Sequence, residues 1–116
     1  MRADIRIFRH DIVGFRRDSR PERPSGAPLR VRPDWVCEIL SPSTSRVDQV
    51  KKLRTLHAHG VTHYWILDPE REMITVHRHA AEGYLTALSA GPDELVRAEP
   101  FELIEIDVGE LFGHER

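Results

Sequence analysis

Short apolar runs separated by polar turns dominate the chain, and most of these runs have the length of strands. The first two runs, residues 5–8 and 12–15, are both predicted to be extended. They are either two parts of one bent strand or the two strands of a hairpin. Further strands are predicted at residues 34–40, 61–67, 73–77 and 84–88, with short ones at 94–97 and 103–106.

One segment has the signals of a helix. Ser45 followed by Asp48 resembles a capping box, so a helix is predicted from there to about His59. Gly60 then ends it, as glycine commonly does. The apolar face of this helix is predicted to comprise Val47, Val50, Leu53, Leu56 and His57. Residues 108–112 predict a terminal helical turn.

The order of strands, one long helix and more strands predicts a mixed α/β core. Residues 16–33 are polar and contain four prolines, so they predict a long loop. The chain has no internal repeat. With 116 residues it is expected to form a single domain, residues 1–116, with a modest core.

Composition excludes several functional classes. The hydrophobic content of 40% and charged content of 31% are typical of a globular protein. The net charge of −2 provides no global basic field for nucleic acid. The single cysteine, Cys37, excludes an intrachain disulfide and fits a reducing compartment. No apolar run reaches membrane-spanning length and no signal-peptide core is present, so a cytoplasmic protein without membrane contact is expected.

A carboxylate interrupts the most apolar strand. Glu38 lies within residues 36–40, and burial of an unpaired charge is strongly unfavourable, so Glu38 needs a partner. Asp34 has the same strand parity, but four residues of strand separate the two by about 13 Å. Asp11 is the best candidate for a second carboxylate around one cation. The alternative, a turn aspartate held by local hydrogen bonds, remains open.

The chain has two lysines, Lys51 and Lys52, both in the predicted helix. On a helical wheel Lys52 lies about 40° from Leu56 and flanks the apolar face, whereas Lys51 points outward. Lys52 is therefore able to reach over the sheet toward Glu38. The alternative is a surface pair with Asp48 at i, i+4 spacing.

Other catalytic and metal-binding patterns are weak. His57, His59 and His63 are close in sequence, but the first two lie on different helical faces and no zinc-like spacing follows, so a zinc site is not expected. There is no glycine-rich phosphate loop and no nucleophile elbow. Tyr64 and Trp65 are expected to fill the core or an interface.

Several segments together resemble one protein family, the Uma-type restriction-endonuclease-like proteins, which belong to the PD-(D/E)XK nuclease superfamily. The similarity covers nearly the whole chain, and as a combined motif it is specific. The residues that carry it are 33–44 (PDWVCEILSPST), Asp48, 52–53 (KL), 60–61 (GV), 64–69 (YWILDP), 98–101 (AEPF) and 104–107 (IEID).

This resemblance implies a restriction-endonuclease-like mixed β-sheet core and three functional residues. Asp11 matches the first acidic position and Glu38 the second. The superfamily lysine two residues later is Leu40 here, and the family pattern moves that lysine to the helix, where Lys52 matches. The implied activity is hydrolysis of DNA phosphodiester bonds, with Mg²⁺, or Mn²⁺ in its place, bound by Asp11 and Glu38. The alternative function is a degenerate, non-catalytic domain that acts in binding or assembly.

Family members carry a helix and strands before the first acidic strand. The resemblance therefore implies that this chain is N-terminally truncated relative to them. A sheet that lacks these elements exposes an edge, which favours homo-oligomerisation or lowers stability.

Overall fold

The structure, a computed structural model, describes residues 3–8, 11–16 and 33–114. Within the first two segments, packing is described for Ile12 and Gly14, and the other residues are described by their backbone alone. The predicted loop at residues 16–33 therefore lies almost entirely outside the described residues. The elements are β1 (Ala3–Phe8), β2 (Asp11–Arg16), β3 (Trp35–Ile39), α1 (Arg46–Ala58), β4 (His63–Asp68), β5 (Met73–Ala80), β6 (Gly83–Ala90), β7 (Leu95–Val96), β8 (Ile106–Asp107) and α2 (Val108–Leu111).

The first six strands form one mixed sheet in sequence order, β1-β2-β3-β4-β5-β6. Strands β3 and β4 are parallel, and every other neighbouring pair is antiparallel. Parallel neighbours need a crossover connection, and α1 provides it. β1 and β2 are two paired strands, so the hairpin alternative is correct. The expected mixed α/β fold with one main helix is confirmed.

Local sequence accounts for the start and end of α1. The Ser45 side chain accepts from the backbone N–H of Asp48, and the Asp48 side chain accepts from the backbone N–H of Ser45. This reciprocal pair is the predicted capping box. After the helix, Gly60 adopts φ 75°, a left-handed conformation that glycine accommodates without steric cost.

The predicted apolar face of α1 is only half correct. Leu53 and Leu56 pack against buried residues of the sheet, but Val47 is 61% exposed and Val50 is also exposed. The first half of the helix, including Arg46 and Gln49, instead borders a cavity of about 700 Å³. Helical periodicity identifies a face, but it does not show how far the sheet extends beneath that face.

The two faces of the sheet carry separate clusters. Beneath α1 lie Val36, Val61 and Tyr64, with Leu53, Leu56, Ile66 and Tyr84 around them. The opposite face is covered by the C-terminal segment, residues 95–112. There the larger cluster includes Trp35, Cys37, Trp65, Ile74, Val76, Ala90, Val96, Ala98 and Val108.

Of the strand predicted at residues 103–106, only Ile106 belongs to a strand, β8, and residues 103–105 do not. The backbone N–H of Phe101 donates to Ala98 O and that of Ile104 donates to Phe101 O, so this stretch forms consecutive turns. Leu103 is 86% exposed, which a buried strand would not allow. β8 pairs with the two residues of β7 only, which confirms the predicted short strand there. α2 confirms the terminal helical turn.

Among the residues that the structure describes, no helix is long and apolar enough to span a membrane.

Candidate active site

Strand alternation places Glu38 beneath α1. Trp35 and Cys37 belong to the cluster on the opposite face, whereas Val36 belongs to the cluster under the helix. Glu38 has the parity of Val36 and is 9% exposed. The apolar run that predicts the strand therefore also buries the carboxylate. A buried carboxylate requires a positive charge or hydrogen-bond donors nearby, so its partners define the site.

Lys52 reaches this carboxylate from α1. Its Nζ lies 3.8 Å from Glu38 Oε1, and the Lys52 side chain is 29% exposed. The aliphatic stem thus crosses the edge of the helix while the ammonium lies over the sheet. Of the two arrangements that the sequence leaves open for Lys52, the structure contains the approach to Glu38. Lys51, one residue earlier, is exposed.

Asp11 and Glu38 are register partners in the antiparallel ladder between β2 and β3. The neighbouring Ile12 pairs with Cys37 and packs against the cluster on the far face. Because successive residues alternate between faces, the position of Asp11 belongs to the face that carries Glu38. The side chain of Asp11 lies outside the described part of the structure.

Tyr64 provides the other contact to Glu38, and the sequence did not identify it as a site residue. Its hydroxyl donates a hydrogen bond to Glu38 Oε2, and its side chain is completely buried. β3 and β4 are parallel, with Val36 opposite Tyr64, so Tyr64 lies diagonally across the ladder from Glu38. One signal was available, because a buried tyrosine needs a partner for its hydroxyl.

Histidines and tyrosines surround Tyr64 on the same face. The ring of His77 stacks on that of Tyr64 with centroids 5.7 Å apart, and His77 Nδ1 donates to the Tyr64 carbonyl at 3.1 Å. Burial lowers the pKa of His77 below its usual 6.5, although the hydrogen bond to that carbonyl partly opposes the shift. Tyr84 donates to Val61 O at 2.6 Å, and burial raises the pKa of Tyr84 to about 12.

The three histidines considered for zinc have separate partners. His57 stacks on His79, with centroids 4.1 Å apart, and its Nε2 donates to Ala80 O. His59 Nδ1 donates to Thr55 O within the helix, while His63 pairs with Glu99 at 3.3 Å. Within residues 33–114, no three His, Cys, Asp or Glu side chains converge on one point.

The arrangement combines an anionic acceptor, a cation and a hydrogen-bond donor at one buried point. Such a set suits charge stabilisation, because the carboxylate, the ammonium and the hydroxyl donor lie close together before any substrate binds. Leu40, two residues after Glu38, lies past the end of β3 and donates its N–H to Leu67 O.

Comparison with known proteins agrees with the resemblance. The family Uma2, described as "Putative restriction endonuclease", matches residues 6–109. This chain belongs to the Uma2 family. The match includes Asp11, Glu38 and Lys52, and the Uma2 family is the one that the sequence pattern identified.

A solved structure similar to this Uma2 chain is described as a "putative nuclease belonging to DUF820" from Anabaena variabilis. The two are 26% identical, with a TM-score of 0.62. The similarity covers 87% of this chain but only 57% of that chain. Among curated proteins, no match was found.

Proposed function

We propose that this chain is a Mg²⁺-dependent endonuclease that hydrolyses DNA phosphodiester bonds, with Mn²⁺ as an alternative cation. The observation that carries the proposal is the buried Glu38 carboxylate, with Lys52 3.8 Å away and Asp11 opposite in the ladder. The family description and the description of the similar protein support the same class of reaction. Asp11, Glu38 and Lys52 are the catalytic residues of this proposal.

The donor set at Glu38 fits a hard divalent cation. Mg²⁺ prefers oxygen ligands and is commonly held by one or two carboxylates, with phosphate and water completing its shell. Asp11 and Glu38 are the two residues that would hold it. When bound, the cation supplies a Lewis acid that neutralises phosphate charge and lowers the pKa of water.

Lys52 supplies a positive charge that does not depend on a bound metal ion. Its ammonium has three N–H donors and is partly exposed, so it is accessible to a phosphate oxygen or a water molecule. Pairing with Glu38 holds the ammonium at the edge of the site before substrate arrives. In the proposed reaction Lys52 positions the attacking water and stabilises charge that develops on the phosphate.

The direct test is cleavage of supercoiled plasmid DNA with Mg²⁺ by the wild type and by Glu38→Ala. We expect nicked or linear product with the wild type and none with the variant, because the variant lacks one of the two proposed ligands. Glu105→Ala, at an exposed glutamate, is the matched control and retains cleavage. Equal cleavage by Glu38→Ala and the wild type would contradict the mechanism.

Calorimetric titration with Mg²⁺ and Mn²⁺ distinguishes the proposal from the non-catalytic alternative. Metal binding that is lost in Glu38→Ala supports the endonuclease. A folded wild type that binds neither cation and cuts no DNA supports a domain that acts in binding or assembly.

A further inference from the structure

The hydrogen bond between Tyr64 and Glu38 joins the fully buried tyrosine of β4 to the carboxylate of β3. From this contact we infer that Tyr64 is a positioning residue, which fixes the orientation of the Glu38 carboxylate for cation binding. The inference rests on the proposed function, and it assigns a role to a residue that does not itself touch cation or DNA.

The two oxygens of Glu38 face different partners. Oε2 accepts from the Tyr64 hydroxyl, while Oε1 lies 3.8 Å from the Lys52 ammonium. A free glutamate side chain rotates about its last bond, but in this carboxylate one oxygen accepts a hydrogen bond and the other faces an ammonium. An ionised carboxylate has about four lone-pair sites, so these two contacts leave capacity for a cation.

Tyr64 is itself held firmly. The ring of His77 stacks on it, and His77 Nδ1 donates to its backbone carbonyl. Tyr84 approaches from the next strand but one, with ring centroids 6.0 Å apart. Because Tyr64 is on a central strand and fully buried, its hydroxyl provides a fixed reference point for the carboxylate.

A carboxylate that is already oriented loses less rotational freedom when a cation binds. Residues that orient metal ligands in this way commonly contribute 10- to 100-fold to metal affinity or activity. Lys52 alone does not fix the carboxylate, because an ammonium accepts many directions of approach and is partly exposed here. Tyr64 therefore makes the distinctive contribution to orientation.

The test compares Tyr64→Phe with Tyr84→Phe. Each change removes one hydroxyl and keeps the ring, but the Tyr84 hydroxyl donates to Val61 O and not to Glu38. We expect Tyr64→Phe to bind Mg²⁺ about tenfold more weakly by calorimetry, and to alter the electron paramagnetic resonance spectrum of bound Mn²⁺. Its kcat for plasmid cleavage should fall while the KM for DNA stays unchanged. Tyr84→Phe should match the wild type in all four measurements.

The outcomes separate the two proposals. If the wild type binds Mg²⁺ and cuts DNA, and Tyr64→Phe does so equally well, the positioning role is overturned and the proposed function stands. Equal losses in both variants would indicate a general disturbance of the aromatic cluster, which also overturns the role. A wild type that neither binds Mg²⁺ nor cuts DNA overturns both proposals.

Discussion

The single side chain that most changes the chemistry around Glu38 is Lys52, because it brings the nearest described positive charge to a buried carboxylate. The sequence offered two arrangements for it, and only the folded chain distinguishes them. A lysine that reaches across from a helix to a strand depends on the distance between those elements, which periodicity does not contain.

Replacement of Lys52 by glutamine tests its proposed role. We expect kcat for DNA cleavage to fall by about 100-fold or more, since removal of one preorganised charged donor commonly has an effect of this size. Lys51→Gln is the matched control, because it removes the same charge from the preceding residue, which is exposed. Steady-state kinetics with plasmid DNA measures both variants. A similar loss in both would mean that only the general charge of the helix matters.

At the scale of elements, the pairing of β2 with β3 brings Asp11 opposite Glu38. Gly14 in β2 lies opposite Trp35, and a Cβ at Gly14 would be 2.9 Å from Trp35 Cε3. Such a distance is too short for carbon atoms, so the indole ring occupies the space that any other residue would need. The close approach of these two strands therefore requires glycine at this position.

Gly14→Ala should weaken this strand pair. We expect the free energy of unfolding to fall by about 1–3 kcal/mol, the usual effect of overpacking. Gly91→Ala is the control, because its nearest neighbour would be a Glu94 oxygen at 3.9 Å. That change should be neutral or slightly stabilising. Urea unfolding measures the free energy of unfolding of both variants. Equal values would show that Trp35 moves aside with no loss of stability.

At the scale of the whole molecule, two histidines couple stability to pH. Burial lowers the pKa of His63 and of His77 below 6.5, and in His63 the nearby Glu99 partly opposes the shift. Near pH 6.5 these two histidines therefore bind more protons in the unfolded chain than in the folded chain. Stability that is present above pH 6.5 is lost as the pH falls through 6.5 toward the lower folded-state pKa values.

Unfolding by urea at pH 7.5 and at pH 5.5 measures this dependence. The free energy of unfolding should be lower at pH 5.5, with each histidine contributing at most about 1.4 kcal/mol per pH unit. His77→Gln should reduce the difference between the two pH values, even if it lowers stability at both. His59→Gln is the surface control. An unchanged pH difference in His77→Gln would refute the contribution of His77.

Neighbouring residues were sufficient to predict most of the helices and strands, and the motifs were sufficient to identify the family. The capping box of Ser45 and Asp48 and the glycine after α1 are local signals, so the helix is predictable from neighbouring residues. The same holds for the apolar run that buries Glu38. The motif spacing identified the Uma2 family because many positions contribute to it together. Conversely, the strand predicted at residues 103–106 is found only at Ile106–Asp107, because β7 provides pairing partners for those two residues alone.

The contacts between distant residues became evident only from the folded chain. The register that puts Asp11 opposite Glu38, the approach of Lys52 and the hydrogen bond from Tyr64 all join residues more than ten positions apart. Such contacts depend on strand order and on the distance between helix and sheet. Neither quantity is encoded in the periodicity of a single segment, and for that reason Tyr64 looked like an ordinary core residue in the sequence.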